Sequence, residues 1–174
     1  ERQAIARFVE GGGTFITSVG ADCAEGSRAL LADFGLWVGK APNDPGEPEP
    51  LGHFKSPYFQ HQGENYMAFV RFHAGWVIGP EPKGDDPSLR VLAYGRDNKP
   101  IILLRKRGAG KFVLIGDTLF ATNRNLENED GSPFEGMREN ADFWRWFISY
   151  LQNPEKAWYP PNPNPPAAPQ PGVA

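Results

Sequence analysis

The sequence predicts an α/β domain in which helices cover a sheet, and three observations carry that reading. The chain opens with helix, strand, helix and strand in alternation, and it closes on a hydrophobic strand followed by a strongly amphipathic helix. Apolar residues make up 40% of the 174 residues and charged residues 22%, which suits one core of ordinary size and excludes wholesale disorder. The longest uncharged apolar runs, such as Phe112 to Ile115, are far too short to cross a bilayer.

The first element is an amphipathic helix with Ile5, Phe8 and Val9 at helical spacing, stopped by Gly11, Gly12 and Gly13. Thr14 to Val19 is β-branched and aromatic, the composition of a strand. Ser27 is placed to cap a second helix, whose Leu30, Leu31 and Phe34 share a face and which Gly35 ends. Trp37-Val38 is a short extended piece, and the proline-rich, acidic stretch from Pro42 to Pro50 is a loop. His53 to Phe59, Tyr66 to Phe72 and Trp76 to Ile78 are extended runs, an inserted strand and hairpin region. Leu89 to Tyr94 and Pro100 to Leu104 are joined by Gly95 to Lys99 in a hairpin-like connection. Arg105, Lys106, Arg107 and Lys111 then form a short basic cluster, the solvated end of a hairpin. Lys111 to Asp117 is a hydrophobic strand ending in a glycine and an acid. Asn140 is placed to cap the last helix, where Phe143, Trp144, Phe147, Ile148 and Leu151 form one apolar face. Residues 153–174 make a Pro-rich extended tail beyond a domain of residues 1–152. Ordering such a tail needs a surface, its own domain's or a partner's, with Trp158 and Tyr159 as the natural anchors.

A net charge of −3 argues against a nucleic-acid partner, and a single cysteine excludes an internal disulfide framework. Cys23 falls between a strand and a helix, where an α/β nucleophile would stand. It is a weak catalytic candidate, because Ala21 and Glu25 occupy the positions where a nucleophile elbow needs glycines. His53, His61 and His73 also form no local arrangement with it. Those histidines with Asp85, Asp86 or Cys23 lack metal-ligand spacing, so no metal and no cofactor are expected. The strongest signal is Asp117 and Thr118 at a strand's C-terminal end, where open sheets place ligand contacts. Asn123 and Asn125 follow in a long loop. In one reading Asp117 caps the turn and the asparagines brace irregular backbone; in the other the loop is the mouth of a pocket or a docking surface. Five tryptophans add a carbohydrate-binding alternative, which requires aromatics exposed at a groove.

Phe8-Val-Glu-Gly-Gly-Gly-Thr-Phe-Ile16, Lys111 to Phe120, Asn123 with Leu126, and Asn140 to Phe147 resemble segments of class I glutamine amidotransferase-like domains of unknown function. Similar closing segments occur in gliding-motility auxiliary components linked to ABC transporters and in the N-terminal domain of an intraflagellar-transport subunit. The resemblance covers residues 1–40 and about 108–152. It implies a flavodoxin-like three-layer sandwich with a central, mostly parallel sheet, of which this chain supplies the later part. The opening inside a helix points the same way, to first strands upstream of Glu1. The Cys elbow and His-x-Glu pair of true amidotransferases have no counterpart here, so their catalytic residues are not carried over. The implied role is a non-catalytic binding or assembly module with a protein partner. It would insert no segment of its own into a membrane; any anchor would lie outside the chain, and the resemblance leans toward an extracytoplasmic or membrane-associated place. Its surface would be the 117–136 loop with the tail, through Asp117, Thr118, Asn123, Asn125, Trp158 and Tyr159. The rival is a small-molecule hydrolase or amidotransferase-like enzyme with Cys23 as nucleophile.

Overall fold

The computed structural model describes residues 1–20, 24–42, 54–60, 67–72, 75–80, 86–95, 98–121 and 138–161. Cys23, His53, His61, His73, Asp85, Asn123 and Asn125 lie outside these residues, as do positions 122–137 and the tail beyond 161. In chain order the elements are α1 (Arg2–Glu10), β1 (Thr14–Ser18), α2 (Ala24–Asp33), β2 (Trp37–Pro42), β3 (Phe54–Gln60) and β4 (Met67–Phe72). They continue with β5 (Trp76–Gly79), β6 (Leu89–Tyr94), β7 (Pro100–Arg107), β8 (Gly110–Ile115) and α3 (Arg138–Gln152), after which Pro154–Lys156 forms a single 3-10 turn.

The main sheet has the order β1-β8-β7-β6. Among the described residues only β1 and β8 run parallel; β8 with β7 and β7 with β6 are antiparallel. Two further antiparallel pairs, β2 with β5 and β3 with β4, form separate ladders packed against it. The flavodoxin-like sandwich with a mostly parallel sheet is therefore incorrect: the chain is strand-rich and its sheet is mixed. The reason is connection length. A parallel neighbour needs a crossover of a dozen or more residues, whereas Gly108-Ala109 turns β7 straight back into β8. Gly108 takes φ +58 at that turn, a conformation that favours glycine. The Gly95 to Lys99 connection does the same for β6 and β7, closed by the Gly95 N–H donating to the Lys99 carbonyl at 2.7 Å.

β8 is buried on both faces, and its alternate side chains build two cores. Phe112 and Leu114 point to the side of α1 and α2, with Val9, Leu31, Phe34 and Leu103. The Phe34 ring stacks on Phe112 with centroids 4.1 Å apart. Val113 and Ile115 point to α3, with Ile102, Leu104, Phe143, Trp146 and Phe147. The apolar face expected of the last helix is present, except that Ile148 is 51% exposed.

Two expected caps turn out otherwise. Ser27 lies inside α2, which starts at Ala24. Asn140 lies inside α3, buried, and its side chain reaches across to β4. Its Oδ1 accepts from the Arg71 N–H at 2.7 Å, and its Nδ2 donates to the Arg71 carbonyl at 3.1 Å. A side-chain amide thus bonds the backbone as a neighbouring strand would, and it ties the helix to the β3–β4 hairpin.

Gly110 sits where the turn after α1 touches β8. A Cβ there would overlap the carbonyl oxygens of Val9 and Gly13, both backbone atoms that cannot step aside. Gly110→Ala should cost the upper end of about 1–3 kcal/mol or more, read as a lowered urea midpoint with an unchanged m-value.

Candidate functional site

The carboxyl ends of the parallel pair come together at Gly20, Asp117 and Thr118. The Val19 N–H donates to the Ile115 carbonyl at 2.8 Å, which carries the β1–β8 ladder to its last rung. Beyond it a Cβ on Gly20 would lie 3.2 Å from the Thr118 hydroxyl, so the two strand ends are in close contact. Gly116 leaves room for the Trp76 carbonyl of β5, whose strand crosses here. Asp117 is fully buried, and its Oδ1 accepts the Leu119 N–H at 2.9 Å. That bond shapes the turn which delivers Phe120 into the core, where its ring meets Phe72 at 5.2 Å, Phe143 at 5.5 Å and Trp144 at 5.3 Å. Of the two readings of Asp117, this geometry supplies the turn-bracing one. Thr118 and Leu119 face outward, Leu119 with 39% of its surface exposed.

Trp158 and Tyr159 are held by a different element. The Trp158 backbone N–H donates to Ser149 Oγ at 2.8 Å, and the Arg145 guanidinium lies over the indole at 4.4 Å. The surface that orders this stretch is therefore the outer side of α3, with a cation–π contact as the clamp. Pro160 is buried and Tyr159 is 39% exposed. Asn123 and Asn125 lie outside the described residues, as does Cys23 with its three histidine candidates. Among the described residues no three His, Cys, Asp or Glu side chains form a group that would hold a metal ion.

Asp86, weighed above as a metal ligand, is engaged otherwise. Its Oδ1 accepts the Ser88 hydroxyl at 2.6 Å and the Ser88 N–H at 2.9 Å, and its Oδ2 accepts Arg105 Nη1 at 2.9 Å. The Ser88 bonds first, and Arg105 behind them, hold its carboxyl below the ordinary 3.8. Two more members of the basic cluster are likewise tied: Arg107 pairs with Glu10 at 2.8 Å, and Lys111 Nζ donates to the Leu151 carbonyl at the end of α3 at 2.6 Å.

A groove that the sequence did not announce lies between the first turn of α2 and the β2–β5 ribbon. It encloses about 560 Å³ and is lined by Ala24, Glu25, Arg28, Trp37, Val38, Gly39 and Trp76. Trp37 stands opposite Gly79 in the ladder, and its indole covers the place where a Gly79 side chain would be. Its other side is open, leaving 45% of the residue exposed. Arg28 and Glu25 pair at 2.7 Å on the rim. Trp37 and Trp76 were visible as members of two short strands; that the strands pair and share a groove is a tertiary fact.

No family model matches the chain, and no curated protein matches it. Solved structures do share its shape. The mmIFT52 N-terminal domain superposes with a TM-score of 0.59 at 13% identity, over 87% of this chain and 70% of that one. A β-galactosidase from Bacillus circulans sp. alkalophilus gives 0.50 at 17% identity, over 90% of this chain. An exo-β-1,4-mannosidase, Op5Man5, from Opitutaceae bacterium strain TAV5 gives 0.49 at 12% identity. This chain spans only 21% of the galactosidase's length. At these identities the likeness is one of fold.

Because the Asp86 carboxyl is held low, the charged form contributes stability above the ordinary 3.8, and that contribution is lost as pH falls through the lowered value. Asp86→Asn should therefore be destabilised relative to the parent at neutral pH, with the gap closing on the acid side. Urea midpoints measured down the acid limb check this, and a gap that is constant with pH would contradict it.

Proposed function

We propose that this chain is a non-catalytic binding and assembly module of a larger protein or complex, with a protein as its partner. The observation that carries the reading is the fate of the strand end. Asp117, at the position where open sheets place ligand contacts, turns inward to shape its own turn, while Thr118 and Leu119 beside it face outward. The outward side is therefore suited to touching another molecule. The exposed Tyr159 adds an aromatic contact from α3's outer side. The resemblance of residues 1–40 and about 108–152 to amidotransferase-like domains without catalytic residues supports the same reading. So does the extent of the likeness to the galactosidase, which takes in nearly all of this chain and about a fifth of that protein. Fold by itself does not carry function, so the outward residues are where the test belongs.

A second reading, carbohydrate binding, is favoured by one observation: the aromatic groove that such a role requires is present. Sugar rings stack on indoles and exchange hydrogen bonds with charged side chains at the rim; the exposed Trp37 and half-buried Trp76 supply the first, and Arg28 as donor with Glu25 as acceptor supply the second.

Native mass spectrometry of the protein taken from its source should give a particle whose mass is not a multiple of 19.3 kDa, and Leu119→Asp should release the added component. A particle of 19.3 kDa alone would defeat the assembly reading. Tryptophan fluorescence titrated with galacto- and manno-oligosaccharides decides the second reading. Binding should weaken about tenfold in Trp37→Ala, the loss of one aromatic stacking contact. A flat titration would remove it.

A further inference from the structure

We propose that the edge of β1 left open among the described residues is a docking strand for a second copy of this chain, joining two main sheets into one mixed eight-stranded sheet through an antiparallel β1–β1 junction on a two-fold axis at Ile16. The inference goes beyond the binding-module reading and does not rest on it.

Among the described residues β1 is the terminal strand of the main sheet, with β8 as its neighbour on one side. The phase of that ladder is given by two bonds: the Lys111 N–H donates to the Gly13 carbonyl at 3.0 Å, and the Val19 N–H donates to the Ile115 carbonyl at 2.8 Å. In a parallel ladder alternate residues of a strand serve one neighbour, so Phe15 and Thr17 carry the bonds to β8. The backbone N–H and C=O groups of Thr14, Ile16 and Ser18 are then directed to the open edge.

Edge strands are ordinarily guarded by charge, proline or a bulge. Thr14-Phe-Ile-Thr-Ser18 has no charge and no proline, and its register with β8 runs without a shift. Beside it lies a groove of about 390 Å³ lined by Gly12, Thr14, Ile16, Lys111, Ile148 and Leu151, with Gln152 at its end. Ile16 is 40% exposed and Ile148 is 51% exposed, so α3 carries an apolar side chain out to the edge of the sheet.

The strand is complementary to itself. Antiparallel pairing centred on Ile16 sets Ile16 against Ile16, Thr14 against Ser18 and Phe15 against Thr17: apolar with apolar, hydroxyl with hydroxyl, aromatic with β-branched. All three outward residues, Thr14, Ile16 and Ser18, find partners in that register and in no register shifted by one. A two-fold axis normal to the sheet keeps α3 of both copies on one face, so both Ile148 side chains close over the central isoleucine pair. Nothing repels. Lys111, the charged side chain of the groove, already donates to the Leu151 carbonyl of its own helix.

Sedimentation of the whole chain over rising concentration should show the mass climbing from 19.3 kDa toward twice that value. Ile16→Lys puts two like charges face to face at the axis and should weaken association at least about tenfold while leaving far-UV circular dichroism unchanged. The parent chain provides a test that no variant can spoil. Residue-resolved amide exchange should show Phe15 and Thr17 protected at every concentration, and Thr14, Ile16 and Ser18 protected only where the dimer forms. A chain that stays at 19.3 kDa overturns the proposal, whether those three amides exchange freely or are protected by a segment of the same chain. A dimer in which they remain unprotected overturns it too, because the contact then lies elsewhere.

Discussion

The fold depends on the burial of β8 on both faces. Every residue of Gly110–Ile115 except Lys111 is buried, and the strand is the only one bonded to the parallel β1 on one side and the antiparallel β7 on the other among the described residues. A strand covered on both sides must be apolar at consecutive positions, and Phe112-Val-Leu-Ile115 is. Its odd and even side chains then act as the floors of two separate cores, one under α1 and α2 and one under α3. Gly110 is part of the same constraint, because the chain leaving α1 can approach β8 closely only where no side chain stands.

The two ends of this strand behave differently. At its start, Lys111 reaches across to the last turn of α3 and holds the helix over the sheet edge, leaving Ile148 at the rim. At its finish, Asp117 is drawn inward, since Phe120 has to be placed among Phe72, Phe143 and Trp144. A carboxylate bonded to the Leu119 N–H in a fully buried turn is a structural device. The surface it leaves for contact is made by its neighbours.

Much of the secondary structure was legible in the sequence. The strands Thr14–Ser18, Leu89–Tyr94 and Gly110–Ile115, and the long face of α3, follow from composition and period alone. The caps were less legible. Asn140 has the composition of a cap, yet it is used to satisfy the Arg71 backbone 69 residues away, a partner that no local pattern reveals. The candidate site was legible only in part: Asp117, Thr118 and Trp158 stand at structured positions, but the Trp37–Trp76 groove depends on two strands separated by a long insertion finding each other.

By itself the sequence determined which segments are extended, which helix faces are apolar, and that the chain is modestly acidic, because these are properties of composition and of neighbouring residues. It did not determine the direction in which the strands run. Parallel and antiparallel strands share the same alternation of apolar residues, so a helix-strand alternation at both ends reads as a parallel sheet. The choice was made by loop length and by the long-range meeting of β1 with β8. The same meeting decided which backbone groups of β1 bond to β8 and which are directed to the other side of the strand.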